Sequence, residues 1–358
     1  MSAEKQHFSI QITDVSYGGS GVGRHEGKAC FVPLVLDGET VSVVLLEDKR
    51  KFAKAELIEV LIPSPHRVEP ECPYFGVCGG CAYQHISYEH QLEIKQRQVE
   101  QTIRRIGRFE AVPMHPIVAS PMPYGYRNRI RVHADGGVAG FFARDHQTLV
   151  DIERCAIASD EVNKSLAQWR KRALPRFRGD HTVAARAASF FEQTNDGVAT
   201  LLVEKVISLM NDASSLLVDA YCGSGLFAKA FAARRGLRVI GIESNERAIN
   251  RARETASELE AYINGEVEEH IGRILDENRN TKMTLLLDPP SAGLSEAVVQ
   301  SVASLPPAEI IYVSCNPSTA ARDLMRLSTG YELLSVTPFD MFPQTAEIEM
   351  VAHLRSRT

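Results

Sequence analysis

A thiol at the end of an apolar run is the clearest chemical signal in this chain. In "IIYVSCNPSTAARDL", Ile310 to Leu324, β-branched and aromatic residues stop abruptly at Ser314-Cys315-Asn316-Pro317. The run reads as a buried strand whose ladder a proline ends. Ligands and nucleophiles collect at strand ends in α/β sheets, so Cys315 is a candidate nucleophile. A thiol acts as thiolate, so its site must lower its pKa or relay its proton.

A second group of residues could hold a ligand. "LLVDAYCGSGLF" reads as a strand, a glycine turn and a helix start, with Gly223 and Gly225 permitting a tight bend and close approach. The next strand ends at Glu243, about 20 residues on, where an acid can accept hydrogen bonds from ribose hydroxyls. The turn lacks the third glycine of the dinucleotide fingerprint. That favours an adenosyl ligand without pyrophosphate, S-adenosylmethionine over NAD. A third strand ends in "LDPPSAG", which brings Asp288 and a rigid proline pair to the same edge.

A third group is metal-like. Cys72, Cys78 and Cys81 form C-x5-C-x2-C with Gly79-Gly80 inside the turn, and Cys155 is a fourth candidate ligand at the end of a later meander. Four thiolates suit a [4Fe–4S] cluster or zinc, and His85 offers zinc a local Cys3His set. Cys30 reads as barrel core, and Cys222 as a packing residue in the glycine turn.

The elements that must position these groups fall into three regions. Alternating runs from Phe8 to Leu61, with the glycine-rich turn "YGGSGVGRHEG", predict a small β-barrel. Lys49, Arg50, Lys51 and Lys54 form a basic patch on it. After the proline-rich connector "PSPHRVEPECP" comes a helix over Tyr88–Ile106. Its apolar stripe is Leu92, Val99, Ile103 and Ile106, and its polar side carries Lys95, Arg97, Arg104 and Arg105. The meander that follows places Arg127, Arg129 and Arg131 on one strand face, suited to phosphate contacts. From Ala188 onward strands alternate with helices, which predicts a doubly wound parallel sheet. The expected division is 1–62, 63–187 and 188–358.

Over 358 residues, 44% hydrophobic and 24% charged, the composition is that of a globular protein with two or three domains. The net charge of −5 does not by itself advertise a nucleic-acid binder, although local basic clusters can do that work. No early apolar run suits a signal peptide or membrane span, so a cytoplasmic protein with no membrane contact is expected. Seven cysteines in a reducing compartment then point to metal or catalytic use.

Taken in order, "FEQTN", "DAYCGSG", "DPPSAG", "YVSCNPSTAARD" and "DMFPQTAEIEMV" resemble the motifs of the RNA uracil-5-methyltransferases over nearly the whole chain. The resemblance implies a Rossmann-like α/β methyltransferase domain, an N-terminal OB-like TRAM barrel that binds RNA, and a small central α+β iron–sulfur domain. It implies Cys315 as nucleophile and Glu349 as general base. Gln193, Tyr221, Gly223, Glu243 and Asp288 fall where the family contacts S-adenosylmethionine, and Cys72, Cys78, Cys81 and Cys155 where it holds a [4Fe–4S] cluster. The implied reaction is methylation of uridine carbon 5 in 23S ribosomal RNA, with the T-arm of transfer RNA as the alternative substrate and no obligate protein partner. The chain departs from the family pattern at Ser291 (usually Arg), at Glu347 (usually His) and at Glu192, which alters an aromatic pair. A catalytically silent RNA-binding protein is the main different class, and intact Cys315 and Glu349 speak against it. The missing dinucleotide fingerprint speaks against an iron–sulfur oxidoreductase.

Overall fold

A computed structural model describes residues 7–172, 176–185 and 193–357; Glu192 lies outside them. The chain divides into two compact units, one of Met1–Gln98, Met122–Ala188 and Phe342–Glu347, the other of Val99–Pro121, Ser189–Met341 and Ile348–Thr358.

The first unit opens with a closed five-stranded barrel of β1 (His7–Val15), β2 (Ser20–His25), β3 (Lys28–Pro33), β4 (Thr40–Asp48) and β5 (Phe52–Ile62), in the order β1-β2-β3-β5-β4. Period-two alternation sends Ile10, Ile12, Val32, Val41, Val43 and Cys30 inward as a shared core. Parallel pairing of Ala29–Phe31 with Phe52–Lys54 closes the ring and removes the free edge. The expected barrel is present, with Cys30 in its core. Of its basic patch, Lys49 and Lys54 both pair with Glu47.

α1 (Tyr88–Arg105) matches the expected helix, but its stripe is rotated. His90, Gln91, Ile94, Lys95, Gln98, Val99 and Ile103 are the buried positions, Leu92 is only half-buried and Ile106 is exposed. Lys95, expected on the polar side, is fully buried and donates to the carbonyls of Phe342 (3.0 Å) and Glu347 (3.0 Å). Polar residues inside the stripe disguised it.

The meander forms a four-stranded sheet, β8-β7-β6-β9, from β6 (Arg129–Asp135), β7 (Val138–Phe142), β8 (Leu149–Asp151) and β9 (Gly179–Ala184). Ile130, Val132, Ile152 and Val183 pack with Val162 and Leu166 of α2 (Asp160–Arg172). Arg131 therefore stands on the opposite, solvent face, in phase with Arg129 and His133. Arg127 does not join them. β6 starts two residues later, and Arg127 bridges to Ala158 and lines an internal cavity.

The second unit carries a seven-stranded sheet in the order β12-β11-β10-β13-β14-β16-β15. Its strands are β10 (Leu216–Ala220), β11 (Arg238–Glu243), β12 (Glu260–Asn264), β13 (Met283–Leu287), β14 (Glu309–Ser314), β15 (Tyr331–Phe339) and β16 (Glu349–Ser356). The first five are parallel, and β16 runs antiparallel between β14 and β15. β10, β13 and β14 are buried at every position, as a parallel sheet covered on both faces requires. The helices are α3 (Asp196–Leu209), α4 (Leu226–Arg235), α5 (Glu246–Glu254), α6 (Val267–Glu277), α7 (Glu296–Ser304) and α8 (Pro317–Leu327). No described helix is long and apolar enough to cross a membrane.

Candidate active site

Strand register gathers the predicted residues along one edge of the seven-stranded sheet. Ala220 pairs with Ile242 on one side and Leu287 on the other, so Tyr221, Glu243 and Asp288 are neighbours at the carboxyl ends of β10, β11 and β13. The Asp288 N–H donates to the Ala220 carbonyl at 3.3 Å. Leu287 pairs with Tyr312, which leads β14 out to Ser314 and Cys315 one strand further along. β16 enters from the opposite direction, with Ser314 facing Met350. Cys315 directly follows Ser314 and Glu349 directly precedes Met350, so the two are the chain neighbours of the last β14–β16 pair.

The turn after β10 is shaped for close approach. Gly223 donates its N–H to Glu243 Oε2 at 3.0 Å, and Asn245 donates to Oε1 at 2.7 Å, so one carboxylate fixes two loops. Gly225 has φ of 86°, and a Cβ there would lie 2.6 Å from the Tyr262 hydroxyl, so only glycine fits. Tyr221 itself sits at φ 67°, a conformation that side chains rarely adopt and that marks functional turns. Gln193 is partly buried two residues before Asn195. Asn195 caps α3 and donates to the Met341 carbonyl at 3.3 Å, beside the end of β15.

This edge is acidic. Asp219, Glu243, Asp288 and Glu349 face one another's fields. Burial, then the charge of Asp288, raises the Glu349 pKa well above the usual carboxyl range. Burial and Glu243 push Asp288 up to about 7, and Asp219 is raised by burial, Asp288 and Glu243. Glu349 is 3% exposed, and no described residue hydrogen-bonds its carboxyl. A cation entering this edge would relieve the repulsion. A sulfonium is such a cation, and a hidden carboxyl with a raised pKa is suited to taking a proton near neutrality.

Two residues that sequence reasoning missed hold the edge together. Asp219 is fully buried, with Oδ2 accepting from the Ala228 N–H at 3.0 Å and Oδ1 unpartnered; an acid inside the apolar strand "LLVDA" was its signal. Asp323 is also fully buried. It accepts from the Leu294 N–H at 2.7 Å, the Tyr312 hydroxyl at 2.9 Å and Arg322 Nε at 2.9 Å. Its place on the face of Ala320, Leu324 and Leu327 was the available sign. Ser291, where the family pattern has arginine, gives its carbonyl to Asn316 Nδ2 at 3.4 Å, and Arg322 holds the neighbouring Ala292 carbonyl at 2.8 Å. The loop after Asp288 is thus tied to the helix after Cys315.

In the other unit, Cys72, Cys78, Cys81 and Cys155 line one cavity of about 160 Å³ with Gln84, Arg127 and Arg154. That is on the order of ten times the space one water needs. Gly79 is required, since its N–H donates to the Phe142 carbonyl at 2.9 Å and a Cβ would lie 2.9 Å from that oxygen. Gln84 Oε1 accepts from the Cys72 N–H at 3.1 Å, which leaves its amide N–H groups for the Cys81 thiol. Asn163 holds Cys155 through bonds of 2.9 and 3.0 Å. Burial raises the thiol pKa values of Cys78 and Cys155 and pushes Cys81 up to about 12. Among the described residues, no three His, Cys, Asp or Glu side chains are gathered as a single metal ion would need. The thiols ring a cavity, and His85 is not among its lining residues, so the Cys3His zinc site is not formed.

The chain is similar to known RNA methyltransferases over nearly its whole length. A family model described as tRNA (uracil-5-)-methyltransferase matches residues 176–357, and a TRAM domain model matches 3–58. The chain is 33% identical to an uncharacterised RNA methyltransferase of Bdellovibrio bacteriovorus, over 97% of this chain and 95% of that one. It is 28% identical to another from Halalkalibacterium halodurans, over 96% of each. Among solved structures it is similar to the Pyrococcus abyssi tRNA (uracil-54, C5)-methyltransferase in complex with S-adenosyl-L-homocysteine. That match has a TM-score of 0.72 and 25% identity, and covers 96% of this chain and 100% of the other.

Proposed function

Since the chain belongs to the tRNA (uracil-5-)-methyltransferase family, and is an S-adenosylmethionine-dependent RNA uracil-5-methyltransferase, we propose that Cys315 and Glu349 carry its chemistry. Uracil carbon 5 is too weak a nucleophile to take a methyl group unaided. The Cys315 thiolate adds to carbon 6, and the electrons of the ring double bond move into an enolate that enriches carbon 5. S-adenosylmethionine supplies a methyl group on a sulfonium, and carbon 5 attacks that methyl. Carbon 5 then carries both methyl and hydrogen. Glu349 takes the proton, the double bond re-forms and the Cys315 sulfur leaves. Covalent activation divides one hard step into easier ones. The observation that supports this reading is the pairing of Ser314 with Met350, which brings their chain neighbours Cys315 and Glu349 to the acidic edge.

Gln193, Tyr221, Gly223, Glu243 and Asp288 are the proposed cofactor contacts. Glu243 meets the ribose, and the acidic edge favours the sulfonium form over its neutral product. The target uridine must leave its stack to reach a strand-end thiol. Arg129, Arg131, His133 and the exposed ring of Phe142 on the four-stranded sheet supply phosphate and stacking contacts for such RNA.

The four cavity cysteines are proposed to hold a [4Fe–4S] cluster, which would supply a rigid cross-link there. Four cysteines, the donor set such a cluster takes, line one cavity, and Gln84 and the buried Arg127 offer donors and positive charge to anionic sulfur. We place the substrate in 23S ribosomal RNA, supported by the pairing of a TRAM barrel with the cysteine set. Transfer RNA is the second reading, favoured by the likeness to the Pyrococcus abyssi enzyme. Anaerobically prepared protein, labelled S-adenosylmethionine and unmodified ribosomal or transfer RNA, followed by mass spectrometry of the methylated base, test both. Methyl on 23S uridine is expected; methyl confined to transfer RNA would move the substrate, and no labelled uridine would refute the reaction.

A further inference from the structure

We infer that the four-cysteine site acts as a clamp on the segment Phe342–Glu347, and through it sets the base Glu349. This rests on the readings above of the cluster and of Glu349. The segment's bonds run to the residues that follow Cys81. The N–H groups of Ala82 and Tyr83 both donate to the Gln344 carbonyl at 3.0 Å. Gln91 completes the grip: its amide donates to Gln344 Oε1 at 3.0 Å and its Oε1 accepts the Gln344 N–H at 3.1 Å. The same Gln91 amide also donates to the carbonyls of Ile86 (2.8 Å) and Tyr83 (3.2 Å). Lys95 spends donors on the carbonyls of Phe342 and Glu347, and the Tyr126 hydroxyl donates to Pro343 at 3.0 Å. Ala346 packs against the core cluster that contains Tyr83, Ile86 and Ile94.

Two observations give this grip a purpose. Gln344 is held at φ 69°, a strained conformation that persists only where surroundings enforce it. Lys95 and Gln91 are fully buried polar side chains, costly unless their bonds are needed. The enforced segment ends two residues before Glu349, while its clamp begins one residue after Cys81 and continues at Tyr126, one residue before Arg127 of the cysteine cavity. Arg127 lies over the Phe342 ring at 5.7 Å. When the thiols are unlinked, the turn 82–86 loses its anchor at Cys81, and the path into β16 loosens. Addition by Cys315 needs none of these bonds; removal of the carbon 5 proton does. Gln91 and Gln344 are positioning residues for the base.

The test compares loaded protein with protein stripped of iron by a chelator. Hydrogen exchange is read in peptides spanning 342–350 and, as a control, in β10. Exchange in 342–350 at least tenfold faster after stripping, with β10 unchanged, is expected. Incubated with substrate RNA and S-adenosylmethionine, stripped protein should accumulate a denaturant-stable protein–RNA adduct, because the methylated intermediate forms but does not resolve. Loaded Gln91→Ala should do the same with its visible iron–sulfur band intact, with adduct release at least tenfold slower and cofactor affinity unchanged. Lys95→Met replaces it should Gln91→Ala not fold. Unchanged exchange on stripping, or an unchanged ratio of adduct to product in the variants, overturns the clamp while leaving the cluster standing. Protein purified anaerobically with no iron and no visible band overturns clamp and cluster together.

Discussion

The base role proposed for Glu349 rests on its surroundings. A carboxyl that is buried without hydrogen-bond donors, near another acid, holds its proton more tightly than in water. That is the property a base needs to draw a proton from carbon at neutral pH. Glu349→Gln keeps the shape and loses the base. Product should fall by about 10²–10⁴-fold, with the methylated RNA adduct retained on Cys315, read by denaturing gel and intact mass. Asp288 gives a pH signature. With its pKa pushed up to about 7, it is charged above that value and neutral below. Cofactor affinity should therefore weaken as pH falls from 8 to 6, by titration calorimetry, while the neutral product S-adenosylhomocysteine changes less. The stability sign is opposite. A carboxyl whose folded pKa is raised contributes stability below its unfolded pKa, near 3.8, and loses it as pH rises through 7. Asp288→Asn should raise Tm at pH 8, where the carboxyl is held charged against its burial, and not at pH 4.

At the level of elements, the site depends on β14 and α8 acting with the loop after β13. Asp323 receives a backbone N–H, a tyrosine hydroxyl and two arginines, so its removal strands several buried donors. Asp323→Ala is expected to cost about 3–5 kcal/mol in urea unfolding and to weaken cofactor binding, whereas a solvent-facing change such as Glu332→Ala should cost under about 0.5 kcal/mol. The parallel strands were legible because burial on both faces writes itself as unbroken apolar runs ending in acids or a thiol. Less legible were β12, whose residues are mostly half-exposed at the sheet edge, and α6, whose acidic face hides its apolar one. The buried stripe of α1 differs from the expected one for a physical reason: Gln91, Lys95 and Gln98 are hydrogen-bonded inside it, and polarity alone cannot reveal partners distant in sequence. Arg127 leaves the expected sheet face because β6 begins only at Arg129.

For the molecule as a whole, a net charge of −5 leaves RNA affinity to local patches. Binding should weaken steeply with salt, and Arg131→Gln on the four-stranded sheet should lower the log–log salt slope by about 1, measured by fluorescence anisotropy. A slope equal to wild type would remove that face from the interface. The most direct test of the chemistry uses substrate RNA in which 5-fluorouridine replaces uridine. Fluorine at carbon 5 cannot be taken as a proton, so addition and methylation proceed and elimination stops. With S-adenosylmethionine present, digestion and mass spectrometry should find methylated fluorouridine bonded to the peptide that contains Cys315, and none with Cys315→Ala. An adduct on Cys222 or any other cysteine, or methyl transfer without an adduct, would contradict the account.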